Sequence, residues 1–218
     1  MILRRERRGT TLLLTSERPQ ALNAINRELA EKLDGELRAA ARDDAVHALV
    51  LAASGADVWV SGGDLKEFQG LDLDARGADG VLRLGLQLAA MEQAPLVVIA
   101  AVSGDVFGGG CELLLMCDLV VVEEQVELRF VHARMGLVPA WGGSRRLCER
   151  IGSARAAELL LTARSVTAAE ALDMGLVSRL VPRGQALATS LELGAELGRL
   201  PRPSLAAMKR SLYEAKSA

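Results

Sequence analysis

The sequence predicts an α/β fold, on three observations. Short, wholly apolar runs rich in β-branched residues, Leu96 to Val102 above all, fit strands buried on both faces and are too short to span a membrane. Longer segments between them carry leucines at helical spacing. The two patterns alternate along the chain, as expected of an α/β domain.

Taken in order, Thr10 to Leu14 reads as a strand. Asn26 to Arg42 is an amphipathic helix with Leu29, Leu33 and Leu37 on one face; its opposite face mixes charges and holds few lysines, so it is a solvated face and not an RNA-binding stripe. Ala48 to Ala53 is a second buried strand, closed by Ser54-Gly55. Gly80 to Gln93 is a leucine-rich helix stopped by Pro95. The strand from Leu96 is broken by Ser103-Gly104, and a helical pattern resumes from Cys111 to Cys117. Leu119 to Val122 and Val126 to Phe130 read as strands, and Gly142 to Ile151 as a helix. Thr167-Ala168-Ala169-Glu170 has the form of a capping box, and Leu176 to Val181 is a short strand before Pro182. Gly184 to Leu197 and Pro203 to Lys216 read as helices on either side of a Pro201/Pro203 linker. No internal sequence repeat is visible. This divides the chain into a core domain, residues 1–182, and a helical C-terminal region, residues 183–218.

The bulk properties narrow the function classes. A chain of 218 residues suits one sizeable domain, and half its residues are hydrophobic with a net charge of −2. There is no basic surplus to suggest nucleic acid, and no stretch suggests a membrane partner. Cys111, Cys117 and Cys148 lack paired zinc-like spacing, so no metal site is expected; they read as small core residues in a reducing compartment, and a cytoplasmic location follows. Met1 to Arg8 carries positive charge with no apolar segment after it, unlike a secretory signal.

The chemistry concentrates after the central strand, at Gly108-Gly109-Gly110. Consecutive glycines let a ligand approach the main chain, and a helix start leaves N–H groups unpaired at the positive end of its dipole. Such a place suits phosphate or an oxyanion developing on a carbonyl, with Glu112 one turn in. The same residues also suit a plain strand-to-helix turn with a dipole-compensating glutamate.

Three ordered segments together resemble the enoyl-CoA hydratase/isomerase (crotonase) superfamily. They are Val102-x-Gly104 with Gly108-Gly109-Gly110-x-Glu112-Leu113 and Cys117-Asp118; Trp59 to Glu67, containing Ser61-Gly62-Gly63-Asp64-Leu65; and Met135-Gly136-Leu137-Val138-Pro139-Ala140-Trp141-Gly142-Gly143. The resemblance runs from Arg18-Pro19 and Leu22-Asn23-Ala24 to about Lys209. It implies a ClpP/crotonase-type spiral of ββα units with a helical C-terminal region that builds trimers or paired trimers. Relatives continue well beyond Lys209, so this region is shortened here, and a more open pocket or cover from another subunit is expected.

The resemblance also implies an acyl-CoA thioester substrate, or an acyl group on a carrier protein, with no separate cofactor. Gly63 and Gly109 match the two backbone donors to the thioester oxygen, each worth roughly 3 kcal/mol to the transition state. Ser61, Gly62, Asp64, Leu65, Gly108, Pro139 and Trp141 fall at substrate-binding positions, Trp141 shaping the acyl pocket. Arg18, Arg27 and Lys66 are candidates for CoA phosphates. Glu112 matches the first glutamate of the hydratases, but His132 stands where the second is expected. That substitution, with Arg129-Phe130-Val131-His132, is similar to the ethylmalonyl-CoA/methylmalonyl-CoA decarboxylase branch. Decarboxylation needs no base to form the enolate, and an imidazole can bind a carboxylate or deliver a proton. The leading expectation is decarboxylation of a short malonyl-type thioester. Hydration by Glu112 with His132 is the alternative, and a non-catalytic CoA-binding or assembly subunit the outsider.

Overall fold

A computed structural model describes residues 1–55, 57–68 and 75–217. Strands β1 (Leu3–Arg8), β2 (Thr11–Ser16) and β3 (Ala48–Ala53) begin a six-stranded sheet, joined by β5 (Val97–Val102), β7 (Leu119–Glu123) and β10 (Arg179–Val181). The order is β1-β2-β3-β5-β7-β10; β1 pairs antiparallel with β2, and the other neighbours are parallel. A smaller sheet holds β4 (Val58–Val60), β6 (Asp105–Phe107), β8 (Glu127–Arg129) and β9 (Ser165–Thr167), in that order.

The two sheets are threaded alternately. Each of β3, β5 and β7 in the large sheet is followed within a few residues by β4, β6 or β8 in the small one, and then by helix. After β4 come α2 (Leu65–Phe68) and α3 (Ala75–Gln93); after β6 comes α4 (Gly109–Leu115). After β8 a 3-10 turn (Val131–Met135) leads into α5 (Gly143–Ile151). This is the spiral of ββα units expected from the resemblance, a structural repeat that the sequence hides.

One face of the large sheet packs into a core with α1 (Arg27–Arg42), α3 and α4, through Leu12, Leu14, Leu29, Leu49, Leu88 and Leu114. The other face, with Leu13, Val50, Ile99 and Val121, is covered by Ala186 and Leu193 of α8 (Ala186–Leu197), which opens the C-terminal region. The last helix, α9 (Arg202–Ser217), is pinned by Lys209, whose ammonium lies 2.6 Å from Asp118 and also donates to the carbonyls of Met91 and Leu96. Burial pushes the Asp118 carboxyl up, against the pull of Lys209.

Several sequence expectations need correction. Strand β1 is absent from the expected set because its residues are mostly charged; only Leu3 is fully buried, and Arg5 and Arg7 pair with Glu36 and Asp43 across the edge. The strands β4, β6 and β9 are three residues each, too short for a periodic signal. A helix α6 (Ser153–Thr162), reached through Gly152 at φ 83°, was not anticipated, and α7 (Ala168–Asp173) is short. The capping box is half realised: Thr167 accepts from the Glu170 N–H at 3.2 Å, but the Glu170 carboxylate turns to Arg164. By contrast, Asn26 caps α1 by accepting from the Leu29 N–H at 2.9 Å.

Candidate active site

Strands β4, β6 and β8 are neighbours and run parallel, so their carboxyl ends share one edge of the small sheet. Gly62-Gly63 follows β4, Gly108-Gly109 follows β6, and His132 follows β8. Three successive turns of the spiral thus deliver their loops to one place, as at the carboxyl edge of other parallel sheets.

The glycines are required by close approach. Gly62 has φ +113°, and a Cβ there would stand 2.9 Å from the Gly109 nitrogen. A Cβ on Gly110 would run into the Val60 carbonyl, so α4 can sit against β4 only with bare backbone at that point. Ile25 donates to the Gly62 carbonyl at 2.7 Å and accepts from Asp64 at 3.0 Å. In such a bridge the N–H of the intervening Gly63 turns to the side opposite Ile25. Gly109 is the first residue of α4, where N–H groups have no partner within the helix.

Glu112, on the first turn of α4, is buried. Its Oε2 accepts from the main-chain N–H groups of Trp141 and Gly143, each at 2.8 Å. Its Oε1 lies 3.2 Å from Nε2 of His132, itself buried. With two donors on Oε2, a proton carried by Glu112 resides on Oε1, the oxygen facing the imidazole. The other ring nitrogen of His132, Nδ1, is buried without a hydrogen-bond partner among the described residues. Burial pushes the thiol of the neighbouring Cys111 up to about 12; Cys117 is buried as well, whereas Cys148, expected in the core, is exposed on α5.

The fold and these motifs have counterparts. The enoyl-CoA hydratase/isomerase family model matches residues 6–217. The chain belongs to the enoyl-CoA hydratase/isomerase family. It is 40% identical over 210 residues to a probable enoyl-CoA hydratase of Rhizobium meliloti (strain 1021), covering 95% of this chain and 79% of that protein. It is 36% identical over 214 residues to the 2,3-dehydroadipyl-CoA hydratase of Escherichia coli (strain K12), covering 98% and 82%. An enoyl-CoA hydratase structure from Polaromonas sp. JS666 superposes with a TM-score of 0.94 at 29% identity, covering 99% of this chain and 84% of that one.

Within this hydratase/isomerase scaffold the remaining expected residues divide. Trp141 is buried beside Glu112, and Pro139 is half-buried in the loop before it. Ser61 binds the Leu22 carbonyl through its main-chain N–H, and Leu65 is exposed. Asp64 pairs with Arg18 at 2.8 Å, and Arg18 also donates to the Ala24 carbonyl. Arg27 and Lys66 are exposed close to the same turn in the chain. A cavity of about 570 Å³ between the end of α3 and α9 is lined by residues such as Pro95 and Tyr213; Gly63, Gly109, Glu112 and His132 do not line it.

Two supporting residues escaped the sequence reading. Arg146 of α5 is buried; its Nε donates to Glu92 at 2.7 Å and its Nη1 to the Trp141 carbonyl at 2.5 Å. It ties α3 to the turn that holds Glu112, yet an arginine on a helix reads as solvent-facing. Gly143 also matters beyond its place in the loop motif: a Cβ there would stand 2.6 Å from Cγ of Glu112.

Proposed function

We propose that this family member hydrates the double bond of a 2-enoyl-CoA thioester, with Glu112 and His132 as its acid–base pair. The observation that carries the reading is their direct contact at 3.2 Å, buried, beside the edge where Gly63 and Gly109 stand. The N–H groups of those two glycines take the thioester oxygen. Water adds to C3 as the π electrons move onto that oxygen, and the pair takes up the proton the water loses. The resulting enolate collapses as the pair returns a proton to C2. Because the two groups are hydrogen-bonded to each other, the proton can pass between them without a second glutamate. The names of the R. meliloti and E. coli relatives favour the same reading.

Decarboxylation of a malonyl-type thioester is the second reading, favoured by His132 itself. There the bond to the carboxylate breaks, its electrons move onto the thioester oxygen, carbon dioxide leaves, and the pair protonates C2. Against it, the substrate carboxylate would stand near a second carboxyl group, Glu112, which main-chain N–H groups already hold in place. Arg18 and Arg146 are committed to Asp64 and Glu92. The reading also carries a homo-oligomer, the family's usual form, and a CoA or carrier-protein arm at the surface.

Two assays on one preparation test it: loss of enoyl absorbance from crotonyl-CoA and carbon dioxide release from methylmalonyl-CoA. Hydration is the expected result. Carbon dioxide release without hydration would transfer the function to the second reading. Silence in both with CoA still bound would make the chain a non-catalytic subunit.

A further inference from the structure

We propose that Trp141 is the wall that limits acyl-chain length, so that the site takes short acyl thioesters and excludes long ones; this rests on the acyl-CoA reading above. The indole is only 6% exposed and is wedged between two helices. At one end, a Cβ on Gly109 would stand 2.8 Å from its Cζ3; at the other, a Cβ on Gly85 of α3 would stand 2.8 Å from its Cδ1. The ring therefore bridges the start of α4 and the body of α3, and glycine is needed at both contacts to admit it.

The ring is also held from its backbone. The Trp141 N–H donates to Glu112, and its carbonyl accepts from Arg146, which Glu92 clamps in turn. A swing of the loop would break the hydrogen bonds that fix Glu112. A thioester whose oxygen lies at Gly63 and Gly109 begins its acyl tail against this indole, and growth of the tail toward α3 meets the ring. Each methylene that a pocket does bury strengthens binding about four-fold. One that meets a wall adds nothing.

Calorimetric binding of butyryl-, octanoyl- and dodecanoyl-CoA, which cannot be hydrated, tests the wall apart from the chemistry. For the native chain, affinity is expected to stay flat or fall from butyryl to octanoyl. In Trp141→Ala the octanoyl-to-butyryl affinity ratio is expected to rise at least about ten-fold. Trp141→Leu, which keeps most of the apolar volume should the alanine variant fail to fold, is expected to give a smaller rise. A native chain that tightens steadily with acyl length, or folded variants with an unchanged ratio, would overturn the proposal. Butyryl-CoA binding without hydration of crotonyl-CoA would count against the hydratase reading alone, with the length profile still deciding the wall. If no acyl-CoA binds at any length, both are overturned.

Discussion

Glu112 and His132 meet at 3.2 Å although they come from different turns of the spiral, one on α4 and one on the 3-10 turn after β8. Two main-chain donors hold the far oxygen of Glu112, which leaves its near oxygen facing the imidazole. Glu112→Gln preserves the acceptor for Trp141 and Gly143 but cannot carry a transferable proton. Turnover of crotonyl-CoA is expected to fall by about two to four orders of magnitude, with the melting temperature nearly unchanged. Steady-state kinetics beside a thermal melt checks both halves.

His132→Ala is expected to cut the same activity by a comparable factor, and His132→Gln should not restore it. The informative measurement is kcat/KM for crotonyl-CoA beside a thermal melt of each variant. Folded variants that keep the native kcat/KM would remove His132 from the proton path.

Gly143→Ala places a methyl group 2.6 Å from Cγ of Glu112. The carboxylate must shift off its two donors, so kcat is expected to drop at least about ten-fold, with about 1–3 kcal/mol lost from overpacking. Gly110→Ala, whose methyl would meet the rigid Val60 carbonyl, is expected to lose at least as much stability. Urea unfolding midpoints of the two variants provide the comparison.

Hydrogen bonding from Arg18 holds the Asp64 carboxyl below the usual carboxylate range. The folded chain therefore takes up that proton less readily than the unfolded one. The stability this contributes is complete above the unfolded pKa of about 3.9 and is lost as pH falls through the lower folded value. Asp64→Asn is expected to flatten that acid limb of the stability curve while lowering stability near neutral pH. An acid limb as steep as the native one would mean the pair does not report on folding.

Met208 and Leu212 stand one turn apart on α9, 64% and 66% exposed. Association of copies through this apolar strip is expected, giving a sedimentation coefficient above that of a monomer at micromolar concentration. Met208→Glu with Leu212→Glu should shift the species toward monomer.

Most of this architecture was legible in the chain because its signals are local. The strand at 48–53 needs only a run of buried apolar residues, the helix at 27–42 only its leucine spacing and the Asn26 cap. The glycine segments and Glu112 stand out because bare backbone beside a helix start has few other uses. Strands of three residues carry no period, and β1 is written in charges that pair across its edge, so both lay below what periodicity detects. Sequence alone determined the α/β class and the family, and it singled out Glu112 and His132 as the candidate acid–base residues. Only the tertiary structure decided that they touch, that Arg18 is bound to Asp64, and that Trp141 is wedged between Gly85 and Gly109. The physical reason is that these contacts join segments from separate turns of the spiral: no local propensity encodes them, and they exist only once the parallel strands of the small sheet bring their carboxyl ends to one edge.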